Sequence, residues 1–172
     1  MLVETISPKP ASQLRIKMPL ISHIACTDNK NVPNKMMKIN GQSIYNGSLN
    51  KFKRAIVVDN MHYYFDYNIP QEMLNLNIKS IKSIGYIFHT VINHGTISRR
   101  NGVRCWKPAA KNYEPNWDIE NLASIWIKTG NDALSKAKVI SDDNVSVIKK
   151  VMYGFNEVYD IDDLELEVII NY

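Results

Sequence analysis

The 172-residue chain has only two cysteines, Cys26 and Cys105. That is too few for a disulfide-dense secreted scaffold and fits a reducing compartment. Seven glycines and seven prolines exclude collagen-like and linker compositions. No apolar run reaches the roughly 18 residues of a membrane-spanning helix. The start, Met1 to Pro8, has neither the basic flank nor the apolar stretch of a signal peptide, so the chain is expected to be neither leader-secreted nor transmembrane. Gly-x-Ser-x-Gly, phosphate-cradling glycine loops and His-Glu-x-x-His are all missing, so no familiar catalytic signature is present. Arginine is scarce, five against sixteen lysines.

What the chain does have is apolar content for a core, 45% of residues, in a length that suits one domain plus a tail. Twenty-two isoleucines, nineteen asparagines and the lysine bias all use A/T-rich codons and point to an A/T-rich genome, such as those of many viruses, parasites and low-GC bacteria. The net charge of +4 conceals a split. Residues 1–111 carry sixteen basic and five acidic side chains, and residues 112–172 carry five basic and twelve acidic ones. A chain so polarised attracts polyanions with one part and another copy of itself with the other, unless folding brings the two parts together.

Residues 1–45 read as a basic, proline-punctuated, flexible N-terminal arm, and residues 46–172 as a single core domain. Within the arm, Ile16, Met18 and Leu20 alternate and Pro19 favours extended geometry. In the core, Lys53–Val58 and the alternating Met61, Tyr63, Phe65, Tyr67 and Ile69 read as strands. Asn77 reads as the cap of a helix to Asn93, with Ile78, Ile81, Ile84 and Phe88 in one stripe. Thr96–Trp106 reads as a hairpin about Asn101-Gly102. Leu122–Lys128 reads as a strand ended by Thr129-Gly130-Asn131, Asp142/Asp143 to Phe155 as a second helix, and Leu164–Ile170 as a last strand. The expected fold is α+β: a mostly antiparallel sheet with two packed helices behind the arm.

The arginines supply the candidate chemistry. Arg99, Arg100, Arg104 and Lys107 surround the hairpin turn beside Trp106, and Lys51, Lys53 and Arg54 extend the basic set. Guanidinium groups bind phosphate in bidentate fashion, and an aromatic neighbour stacks on a base or sits at a lipid headgroup. The set is therefore a candidate site for RNA or anionic lipid, set against a merely solvated hairpin with a core tryptophan. Arg15, Ile16, Met18, Pro19 and Leu20 form a candidate self-association segment that inserts into a neighbouring subunit, set against a loop packed on its own domain. His23-x-x-Cys26 lacks a second ligand pair, and His89 and His94 are spaced wrongly for one helical face. The acidic run Asp160, Asp162, Asp163, Glu165 and Glu167 lacks the glycine and spacing of a calcium loop. No metal, cofactor or catalytic residue is expected.

The aromatic strand Met61-His-Tyr-Tyr-Phe-Asp-Tyr67, the helix Asn77–Asn93 after it, the basic hairpin Thr96–Lys107 and the arm around Met18-Pro-Leu20 resemble, in arrangement, the rhabdovirus matrix proteins. The likeness is to the short ones of plant cytorhabdoviruses. The resemblance implies a non-enzymatic virion protein that self-associates and bridges the viral nucleocapsid to the inner face of the membrane, within host cytoplasm and virion, with no small-molecule substrate. The chain departs from better known members in having neither Pro-Pro-x-Tyr nor Pro-Thr/Ser-Ala-Pro. The alternative is a nucleic-acid-binding accessory module, such as a silencing suppressor, that uses the hairpin directly. A third reading is an enzyme with a scattered site including His62, Tyr64 and Asp66.

Overall fold

The computed structural model describes residues 12–21, 23–26, 36–39, 44, 49–90, 95–100, 103–108, 119–158 and 163–172. The elements in chain order are strands β1 (Gln13–Pro19), β2 (His23–Ala25) and β3 (Met36–Lys38) and helix α1 (Lys51–Asn68). Strands β4 (Ser83–Thr90), β5 (Gly95–Arg100) and β6 (Val103–Pro108) follow, then helix α2 (Ile119–Lys136) and strands β7 (Val151–Glu157) and β8 (Glu165–Asn171). The class is α+β. The main sheet has the order β1-β8-β4-β7, and β2-β3 and β5-β6 form separate two-stranded pairs. β8 is antiparallel to both β1 and β4, but β4 and β7 run parallel. The sheet is thus mixed rather than mostly antiparallel.

Four apolar segments take a different element type from the one their spacing predicts. Met61, Phe65 and Ile69 are buried, whereas Tyr63 and Tyr67 are exposed. An alternation of two contains a repeat of four, and α1 uses the repeat of four. The side chain of Asn50 caps this helix by accepting from the Lys53 amide at 2.9 Å. The segment read as a helix from Asn77 instead turns at Asn75 and Asn77, both at positive φ, and becomes β4. There Ile84, Tyr86, Phe88 and Thr90 are buried at strand spacing, and both neighbouring strands satisfy its backbone.

Leu122–Lys128 is the middle of α2, not a strand. Leu122, Trp126, Thr129 and Ala133 fall at spacings of three and four and are all buried. The triplet Thr129-Gly130-Asn131 is a packing site rather than a stop. A Cβ on Gly130 would lie 2.7 Å from the Tyr86 hydroxyl, and that hydroxyl donates to Asn131 Oδ1 at 2.7 Å. Burial drives the Tyr86 phenol far above the usual tyrosine range, and the Asp132 charge adds to the shift. Residues 142–150 are turns and bridges, and Val151–Glu157 is a strand rather than the end of a second helix.

The arm expectation also changes over part of its length. Residues 13–19 are β1, paired with β8 in the register Ile16↔Val168 and Met18↔Leu166. Ile16, Met18 and Leu20 are buried in this chain's own core. The alternation predicted the strand; its partner is the chain's own C-terminal strand. The hairpin and the last strand form as their sequences predict.

Both helices lie on the face of the sheet that carries Ile16, Met18, Tyr86, Phe88, Leu166 and Val168. Trp126 of α2 meets Phe65 of α1 edge-on at 5.5 Å, and Phe65 and Tyr86 both crowd Gly130. Asn60 of α1 donates to the Ala25 carbonyl at 2.9 Å, tying the small β2-β3 pair to the helix layer. Among the described residues no helix is long and apolar enough to cross a membrane.

Candidate polyanion-binding surface

Lys51, Lys53 and Arg54 occupy the first turn of α1, all exposed, with no acidic residue in that turn. A helix N-terminus already carries about half a positive charge, so three cations there cost the helix stability and favour an anion. Lys51 and Arg54 also line a cleft of about 680 Å³ between α1 and α2, with Asp59 farther along their own helix and Lys128 and Asp132 of α2 across from them. Lys128 is 3.9 Å from the Asp132 carboxylate, and His62 Nε2 is 3.4 Å from it on another side. The cleft is therefore mixed in charge on both walls, Lys51 and Arg54 with Asp59 on α1 and Lys128 with Asp132 on α2. Asp143 belongs to the same acidic group. Desolvation, then hydrogen bonding with Asp132 and Asp142, holds its carboxyl above the usual range.

The second basic set lies on the β5-β6 hairpin. Arg99 is the register partner of Arg104, Arg100 of Val103, Trp106 of Ile97 and Lys107 of Thr96. Arg99 and Arg104 are thus directly opposite, each one residue from the strand end that faces residues 101–102. The Asn101-Gly102 turn itself and the side chains of this hairpin lie outside the described residues. The helix-borne and hairpin-borne cations sit on different elements, and the structure joins only Lys51, Arg54 and Lys128 in one described cleft.

The self-association segment is located differently from expectation. Ile16, Met18 and Leu20 are buried, and Tyr64 of α1 donates its hydroxyl to the Pro19 carbonyl at 2.5 Å. Arg15 points to the opposite face of the sheet, where it holds the buried Glu167 at 2.9 Å. An insertion segment must leave its own domain, and this one completes its own sheet, so the segment is corrected to a core strand.

The scattered enzyme reading gains no constellation from these side chains. His62 faces Asp132 and, through Nδ1, Lys136 at 3.1 Å. Tyr64 goes to Pro19, and Asp66 is exposed. Among the described residues no group of three or more His, Cys, Asp or Glu is arranged to hold a metal. His94, Asp160 and Asp162 lie outside the described residues, as do the side chains around Cys105.

Sequence reasoning missed the cluster on the face of the sheet turned away from the helices. There Glu167, 7% exposed, accepts from Arg15 and lies 3.8 Å from His89 Nε2. Beside it Lys17 donates to Glu165 at 2.8 Å. The partners are some 75 to 150 residues apart along the chain, so only strand register brings them together. This pairing also answers the charge question in part: β8 from the acidic third neutralises β1 from the basic part. Comparison with known proteins adds no identity, since the chain matches no family model and no curated protein.

Proposed function

We propose that this is a non-enzymatic structural protein of the viral matrix type, which self-associates and binds polyanions. In that role it bridges a nucleocapsid or its RNA to an anionic inner membrane surface, in host cytoplasm and virion. The observation that carries the reading is the first turn of α1, where Lys51, Lys53 and Arg54 stand at the helix's own positive end in a turn that holds no acidic residue. Such a turn is stabilised when phosphate or another anion binds it. The paired register positions of Arg99 and Arg104 offer a second cationic contact, which suits a protein that holds two anionic partners.

The test is binding of the full chain to single-stranded RNA and to anionic vesicles across a salt series. Replacing Lys51, Lys53 and Arg54 together by Ala should weaken both. For RNA it should flatten the log affinity against log salt slope by about 2, the share of three phosphate contacts. Unchanged affinity for both partners removes α1 from the interface. RNA binding without vesicle binding or self-association favours the accessory nucleic-acid module instead.

A further inference from the structure

We propose that β7 is the seam of a two-fold dimer: the β7 strands of two copies pair antiparallel about Tyr153, joining two four-stranded sheets into one. This deepens the self-association reading above and rests on it.

Backbone geometry comes first. The Lys150 carbonyl accepts from the Ile84 amide at 2.9 Å, and the Val158 amide donates to the Thr90 carbonyl at 3.1 Å. In a parallel ladder alternate residues bond the same neighbour. The even-numbered residues of β7 therefore face β4. Val151, Tyr153, Phe155 and Glu157 direct their amides and carbonyls to the other side, where no described strand lies.

Side-chain burial gives the second argument. The register places Val151, Tyr153 and Phe155 on the same face as Ile84, Tyr86 and Phe88, which is the face the helices cover. Phe155 stacks on Phe88 at 5.0 Å. Yet Val151 is 42% and Tyr153 46% exposed, so the helical layer stops short of β7. The strand has no lysine or proline within 151–157, the devices that normally keep a sheet edge from pairing.

The occupant follows from the pattern of charge. Lys149 and Lys150 precede the strand and Glu157 ends it, and neither Lys150 nor Glu157 has an ion-pair partner among the described residues. Only antiparallel pairing of two copies brings those ends together twice. A two-fold axis normal to the sheet keeps the faces matched, so it passes through one residue pair, Tyr153 or Gly154. About Tyr153, Val151 meets Phe155, tyrosine meets tyrosine and Lys149 comes level with Glu157. About Gly154, Glu157 would lie opposite Val151. The Tyr153 register sets apolar against apolar and cation against carboxylate. The Lys149 ammonium already donates to the Val145 and Ser146 carbonyls at 3.3 and 2.7 Å, and a third donor is left for the carboxylate.

Sedimentation velocity of the full chain over a concentration series tests this, with circular dichroism confirming that each variant is folded. The wild type should dimerise. Tyr153→Lys should weaken the dimer by about a hundredfold or more, because it places like charges at the centre of the seam. Glu157→Lys should weaken it about tenfold, and adding Lys149→Glu should restore most of that loss. If Tyr153→Lys fails to fold, the charge-swap pair decides alone. A wild type that associates, with neither Tyr153→Lys nor Glu157→Lys changing its affinity, overturns the seam and leaves self-association standing. A wild type that stays monomeric throughout overturns both.

Discussion

At one edge of the sheet β1 presents Arg15, Lys17 and Pro19 to solvent and buries Ile16 and Met18 under α1; at the other, β7 presents Val151, Met152 and Tyr153. The β1 edge carries the charges and the proline that discourage further pairing. Its charges are also anchored, Arg15 to Glu167 and Lys17 to Glu165. The β7 edge has its helix-side face partly bare and its charges only at the ends. One sheet is thus closed on the side where the sequence looked sticky and open on the side where it looked helical. The lesson is that apolar alternation marks burial, and the chain's own fold has the first claim on it.

The sharpest contrast between the edges is in stability. Met18→Ala should cost about 2–4 kcal/mol in urea unfolding, the usual range for emptying a packed core site. Val151→Ala should stay within about 0.5–1 kcal/mol, since much of that side chain is already in water. Equal costs would mean that β7 is as covered as β1.

A middle-sized effect is expected on the face turned away from the helices. Arg15→Ala leaves the buried Glu167 carboxylate without its 2.9 Å donor and should cost about 1–2 kcal/mol, discounted because Arg15 is itself largely exposed. Glu167→Gln in the same chain should recover part of that loss, because the uncompensated charge is gone. A double-mutant cycle measures this, and strict additivity would show that the pair is not coupled.

The smallest effect concerns Lys17. The hydrogen bond to Glu165, then that residue's charge, raises its ammonium above the ordinary 10.5. A raised value in the folded chain means that the bridge contributes fully below about 10.5 and fades as pH rises through the folded value. The melting-temperature gap between wild type and Lys17→Met should therefore shrink on going to strongly alkaline pH. A gap that widens there would contradict the ion pair.

How much of this was legible beforehand depends on the segment. β1 and β8 could be read because local chemistry backs their alternation, Pro19 favouring extended backbone in β1 and Val168, Ile169 and Ile170 being β-branched in β8, and the β5-β6 hairpin because Asn-Gly favours a tight turn. α1 and α2 could not, because Met61-to-Ile69 fits a period of two as well as four, and the Thr129-Gly130-Asn131 triplet mimics a terminator. Of the candidate basic set, the charges of Lys51, Lys53 and Arg54 were legible, but their place on a helix N-terminus was not foreseeable from a strand reading. Lys128 and Asp132 were missed because they join the cleft only when α2 packs beside α1. The resemblance to matrix proteins loses three of its supports, since the Met61–Tyr67 run is helical, the Asn77–Asn93 segment contains β4 and the arm around Met18-Pro-Leu20 is a strand of the chain's own core.

The sequence by itself determined the α+β class, the extended β1, the hairpin, the last strand and the opposed charges of the two parts of the chain. These depend on local spacing, turn chemistry and composition. Tertiary structure decided which apolar segments became helices, the parallel β4-β7 pairing, the meeting of Arg15 with Glu167 and the bare edge of β7. The reason is physical. A short apolar run gains similar burial as helix or strand, so the backbone hydrogen bonds its neighbours offer settle its form. Those neighbours are chosen by the whole fold.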